Sequence, residues 1–245
     1  MRAWFFICLS ILCFYAQSDD RLPNLSFTAY ANEQSVIDNA LSQAKLDNKL
    51  NMFVFGAEWC HDSRAFVENI TTEEVKAVTD EAFVVTLIDV GYLQDKRVSM
   101  NQFAYPINFA TPTVLIIEPN SKQIVNFDSI EKWQYAAQVS TQEFVDYFVS
   151  FKDVHYAPAP IPNQIGQLFE QQQVARLVQG YNKLSPMLAA SVEGEVIDEE
   201  QFIQLWREVK HFRTNLQNHI HQFRKSGYTQ TSMLPADLKA KQSWE

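Results

Sequence analysis

Cys60, His61 and Ser63 stand close together in the run Gly56-Ala57-Glu58-Trp59-Cys60-His61-Asp62-Ser63 and are the side chains best suited to do chemistry. A thiolate is a strong nucleophile toward disulfide sulfur, so the first question is what surrounds Cys60. An apolar run from Leu50 to Phe55 precedes it, and helical spacing through Ala65, Phe66, Asn69 and Ile70 follows. That places the sulfur beside the unsatisfied amides of a helix's first turn, which favours negative charge on it. A protonated His61 adds to that effect, whereas Asp62 opposes it by like-charge repulsion. The plainer alternatives are an inert buried thiol and a solvated histidine at a helix start.

The other two cysteines, Cys8 and Cys13, fall in a segment that reads as a leader. Residues 1–18 carry an early Arg2, an apolar stretch from Ala3 to Ala16, and the small-x-small sequence Ala16-Gln17-Ser18. Cleavage there leaves Cys60 alone, with no partner for an intramolecular disulfide. A lone thiol is unusual in an exported protein, because oxidising compartments favour paired cysteines. The reading is a periplasmic or secreted protein with no membrane span after cleavage. The 29 acidic against 20 basic residues, for a net charge of -9, repel phosphate backbones and exclude a general nucleic-acid role.

Several elements must position Cys60. Helical spacing runs from Glu33 to Asn48, and the strand 50–55 follows it. Further expected elements are a helix resuming at Thr72-Glu73-Glu74, a strand over 82–90, a polar helix over 95–103, a hairpin of 113–118 with 123–127, and a helix over 141–151. This order describes an α/β domain with a mixed sheet flanked by helices. Pro158, Pro160 and Pro162 then mark a stiff linker. Two amphipathic helices follow, with Pro186 and Glu193-Gly194 punctuating their join. They should pair as a hairpin and cover either the α/β domain or a second copy, which makes a homodimer through these C-terminal helices one expected partner. The boundaries are 1–18 for the leader, 24–151 for the α/β domain, 152–163 for the linker, 164–227 for the hairpin and 228–245 for a loose tail.

The segment Phe53-Val54-Phe55-Gly56-Ala57-Glu58-Trp59-Cys60-His61-Asp62-Ser63-Arg64 resembles the active-site segment of the thioredoxin superfamily, with Trp-Cys-x-x-Cys changed to Trp-Cys-x-x-Ser. Thr111-Pro112-Thr113 resembles that superfamily's cis-proline loop. The resemblance implies a thioredoxin-like fold with a C-terminal helical hairpin, a cis peptide before Pro112 facing Cys60, and a Thr111 backbone able to pair with a bound peptide. It implies catalytic roles for Cys60, Ser63 and His61, and substrate contact by Trp59, Thr111 and Pro112. Two departures concern one half-reaction. Ser63 occupies the resolving-cysteine position, and Val54 sits where typical thioredoxins carry a buried acid. What remains open is monothiol exchange, with disulfide- or thiol-containing clients and an outside reductant such as glutathione. No cofactor is implied.

The competing class is a thioredoxin-fold binding or assembly module in which Cys60 matters little. A glutathione transferase fits poorly, because only about two long helices follow a complete Cys-bearing unit. His211, His219 and His221 make no metal site, since His219 and His221 point to different helix faces. Phe202, Trp206, Phe212 and Phe223 read as a core stripe. Glu193, Glu195, Asp198, Glu199 and Glu200 read as a charged loop and helix start.

Overall fold

The computed structural model describes residues 25–152, 159–228 and 235–245. The leader, with Cys8 and Cys13, and residues 153–158 of the Pro-rich linker therefore lie outside the described residues. A helix α1 (Glu33–Asp47) opens the domain, followed by β1 (Leu50–Gly56), α2 (His61–Ile70), α3 (Glu73–Ala82) and β2 (Phe83–Asp89). A short α4 (Arg97–Asn101), β3 (Thr113–Glu118), β4 (Gln123–Ile124), a 3-10 segment (Phe127–Gln138) and α5 (Thr141–Val149) complete it. Two long helices, α6 (Gln164–Val192) and α7 (Glu199–Lys225), and a short α8 (Ala236–Lys239) end the chain.

The sheet runs β2-β1-β3-β4. β1 lies parallel to β2, with Leu50 opposite Phe83 and Gly56 opposite Asp89, and antiparallel to β3, with Phe55 opposite Thr113. Because strand side chains alternate, the central strands feed two separate cores. Met52, Val54, Val114 and Ile116 face Phe66, Trp133, Phe144 and Phe148. Phe53, Phe55, Leu115 and Ile117 face α1, the loops after β2, and α6 with α7. Burial on both faces is why β1 reads as an unbroken apolar run.

Local chemistry accounts for the helix ends. Asn32 accepts from the Ser35 amide at 3.0 Å to start α1, and Ser140 and Glu143 form a reciprocal capping box at α5. Asp198 caps α7 through the Gln201 amide, with Glu199 and Glu200 in its first turn and Arg224 and Lys225 in its last.

The structure departs from the sequence reading in several places. The second hairpin strand stops at Ile124 because the Asn126 side chain takes over the ladder. Its Oδ1 accepts from the Ile116 amide at 2.9 Å, and its Nδ2 donates to the Val114 carbonyl at 2.9 Å. The 3-10 segment that follows buries Trp133, a feature that periodicity did not reveal. Pro186 does not break a helix but sits inside α6, where buried Leu184 and Leu188 hold the helix against the core despite the lost hydrogen bond.

The hairpin of α6 and α7 packs on its own α/β domain. Tyr181 Oη donates to the carbonyls of Asn108 (3.2 Å) and Phe109 (3.0 Å), and Gln217 donates to Tyr105 Oη at 3.1 Å. Leu177, Leu216 and Ile220 are fully buried in the same cluster as Phe53. The apolar stripe is thus used within one chain to cover the α/β domain, the first of the two expected alternatives. The described end of the tail, residues 235–245, is held in place. Leu238 is buried, Trp244 stacks edge-on against Phe212 at 5.6 Å, and Glu245 pairs with Arg176.

Candidate active site

Cys60 caps α2 in extended conformation (φ -85°, ψ 122°), and no side chain caps that helix end. The first-turn amides therefore face the region of the sulfur with no competing acceptor from the capping position. Across from it, the Thr111-Pro112 peptide is cis, and Cys60 Sγ donates to the Thr111 carbonyl at 3.1 Å. Cys60 is half-buried, while Thr111 and Pro112 are buried. The Thr111 carbonyl, one of the groups implied for pairing with a peptide, is engaged here by the thiol itself.

Ser63 is fully buried, and its Oγ accepts from the Ala57 amide at 3.4 Å. Among the described residues no hydrogen bond joins it to Cys60. The cause is local: Ser63 lies one helical turn into α2 and points back toward Gly56, where an added Cβ would stand 2.8 Å from Ser63 Oγ. His61 is exposed on the first turn of α2, and Asp62 Oδ1 accepts from the Ala137 amide at 3.1 Å. Asp62 is thereby tied to the 3-10 segment. Trp59 is half-buried, with its indole Nε1 donating to the Gly91 carbonyl at 2.8 Å, so its ring is held beside the sulfur.

The fold is thioredoxin-like. A parallel β1-β2 pair, an antiparallel β3 entered through a cis-proline, and a cysteine at the start of the helix after β1 make that architecture without reference to any other protein. No protein-family model and no curated protein matches the chain. Among solved structures, the chain is similar to a disulphide isomerase from Xylella fastidiosa Temecula1, with 25% identity, a TM-score of 0.48, and coverage of 53% of this chain and 98% of that one.

Sequence reasoning missed the other wall of the site. A groove of about 440 Å³ joins Trp59, Cys60 and His61 to the end of α6 (Leu188, Val192) and the start of α7 (Phe202, Trp206). Trp59 and Trp206 meet edge to face at 6.3 Å. Tyr92 Oη donates to Glu193 at 3.3 Å, tying the tip of the hairpin to the loop after β2. Phe202 and Trp206, read as core, are half-buried groove residues, whereas Phe212 and Phe223 are core. The i, i+4 pair Phe202 and Trp206 was the available signal, but nothing in the sequence said which surface it would face.

The remaining candidates lie elsewhere. His221 is buried between Tyr105 Oη (3.1 Å from Nε2) and Glu131 (3.2 Å from Nδ1), and this contact holds Glu131 below the usual carboxylate range. His211 contacts Asn215, and His219 stacks on Phe223. Among the described residues no helix is long and apolar enough to cross a membrane.

Proposed function

We propose that this protein is a monothiol thiol-disulfide exchange enzyme, of isomerase or mixed-disulfide type, with Cys60 as its only nucleophile. The observation that carries this reading is the placement of Cys60 Sγ at an uncapped helix start, 3.1 Å from the carbonyl of a cis Thr111-Pro112 loop and at the edge of an open groove. In the reaction the Cys60 thiolate attacks one sulfur of a client disulfide. A Cys60-client disulfide forms, and the other client sulfur leaves as a thiolate carrying the bond's electron pair. Ser63 cannot resolve that species, because an alkoxide is a far poorer attacking group than a thiolate under mild conditions. Release then comes from the client's own second thiol, which gives isomerisation, or from an external thiol such as glutathione, which reduces the mixed disulfide.

Trp59 and His61 line the groove beside the sulfur, and client contact at Thr111 and Pro112, which are buried here, requires the Thr111 carbonyl to exchange the Cys60 thiol for the client backbone. The leader at residues 1–18 fits delivery to a periplasmic or secreted setting, where client disulfides exist. The test is incubation with a scrambled disulfide client under a thiol buffer. Exchange through Cys60 yields a mixed disulfide on non-reducing gels and recovery of the native client, both lost in Cys60→Ala. If neither product forms, or if Cys60→Ala matches the native chain, the reading fails.

A further inference from the structure

The helical hairpin adds something a thioredoxin-like domain alone does not have: a second, apolar wall facing Cys60. Leu188, Val192, Phe202, Ile203 and Trp206 present carbon surface to the groove that contains the sulfur. Val192 (48% exposed) and Ile203 (44%) line the groove while staying open to solvent, and Val196 is fully exposed on the turn between α6 and α7. Exposed apolar side chains gathered at a groove mark an interaction site.

The charge around the patch is one-sided. Glu193, Glu195 and Asp198 on the turn between α6 and α7, and Glu199 and Glu200 in the first turn of α7, are all exposed. Arg207 is the cation on the groove's α7 side, and among the described residues it has no carboxylate within 4.0 Å. Glu199, Glu200 and Glu208 line a shallow depression with Ile203, and Arg207 borders both it and the groove, leaving three carboxylates against one cation there. Apolar contact next to the nucleophile, with a predominantly acidic rim beyond it, selects a ligand of matching pattern.

We propose that the hairpin tip is a specificity element that selects client polypeptide segments in which the reacting cysteine is neighboured by a bulky apolar residue, with lysine or arginine a few positions away. The apolar residue lies in the groove against the Trp59–Trp206 pair, beside Leu188, Phe202 and Ile203. The basic residue meets Glu199 and Glu200. This rests on the exchange reading above, and it assigns to residues 188–207 the choice of client, while Cys60 retains the chemistry.

The test uses the full mature chain and short synthetic peptides whose single cysteine is linked by a disulfide to thionitrobenzoate. Attack by Cys60 on the peptide sulfur forms a Cys60-peptide disulfide and expels thionitrobenzoate as a coloured thiolate, so one wavelength reads the rate. Peptides differ only in the neighbouring residue (Phe or Ala) and in the distal pair (Lys or Glu). The Phe/Lys peptide is expected to react roughly tenfold faster than the Ala/Glu peptide, the size of effect one apolar pocket supports. Ile203→Asp should remove the Phe preference, and Glu199→Gln with Glu200→Gln should remove the Lys preference together with its salt dependence. All variants should keep the native rate toward a small neutral aliphatic disulfide such as 2-hydroxyethyl disulfide, which is too short and polar to use the apolar wall, and their unchanged circular dichroism shows that they are folded. Reaction with the small disulfide but less than twofold discrimination among peptides overturns the specificity assignment alone. No reaction of Cys60 with either kind of disulfide overturns the exchange reading, and this assignment with it.

Discussion

The base of the hairpin is held by a buried ion pair, and removing one half of it should be costly. Arg224 Nε and Nη2 each donate to a Glu170 carboxylate oxygen at 2.7 Å, and Tyr228 Oη donates to the same carboxylate. The side chains of Arg224 and Glu170 are 2% and 5% exposed. In Glu170→Leu the guanidinium keeps its charge but loses its acceptor, and breaking a buried pair in this way costs about 3–5 kcal/mol. Arg224 also lines a 450 Å³ cleft together with Arg97 and Gln167, and water entering that cleft would solvate the stranded charge. The lower end, about 3 kcal/mol, is therefore expected. For a chain of this size that corresponds to a fall in Tm of roughly 6–12 °C. The double variant Glu170→Leu/Arg224→Met removes both charges and keeps apolar volume, so most of the loss should be recovered. Urea unfolding followed by circular dichroism measures all three chains. A loss below about 1 kcal/mol in the single variant, or a double variant no more stable than the single, would refute the view that this pair anchors the hairpin.

Other expectations follow from the same structure. Asn108 is 1% exposed, and among the described residues neither its Oδ1 nor its Nδ2 has a hydrogen-bond partner, so Asn108→Leu should raise stability by about 1–2 kcal/mol; an unchanged or lower urea midpoint contradicts this. Tyr181→Phe removes the donor shared by the Asn108 and Phe109 carbonyls and should cost about 1–3 kcal/mol, read by the same method. Leu216→Ala empties a fully buried site between hairpin and sheet and should cost about 2–5 kcal/mol. Burial acts to raise the Glu118 carboxyl, but hydrogen bonds from Ser121 and Asn120 outweigh it and hold the group down to about 2. Since the folded value lies below the unfolded one, its contribution is present above the ordinary carboxylate range and fades as pH falls toward 2. Glu118→Gln should flatten that acid limb in a titration of unfolding midpoint against pH, whereas an unaltered limb would mean the contact contributes nothing.

Much of the α/β half was legible because its signals are local. The apolar run of β1, the helical spacing after Cys60 and the Thr-Pro-Thr before β3 each depend on neighbours a few residues apart, and each element formed where its spacing placed it. Elements that depend on distant partners were misread. Asn126 ends a strand by bonding to β3, Pro186 remains in a helix because flanking leucines are buried, and Trp244 is held by Gly180 and Phe212. In each case the deciding contact comes from elsewhere in the chain.

The candidate site divides along the same line. Sequence alone determined that one thiol stands at the start of a helix, that a serine and not a cysteine follows it three residues later, and that a proline loop precedes β3. Those are properties of residue type and short spacing. Tertiary structure alone decided that Ser63 turns toward Ala57, that the Thr111 carbonyl meets the sulfur, and that Phe202 and Trp206 come over Cys60. An amphipathic helix records in its sequence that one face must be buried, but not against what. That choice is made by the packing of α6 and α7 onto the open face of the sheet, and it turns an exposed nucleophile into one wall of a groove.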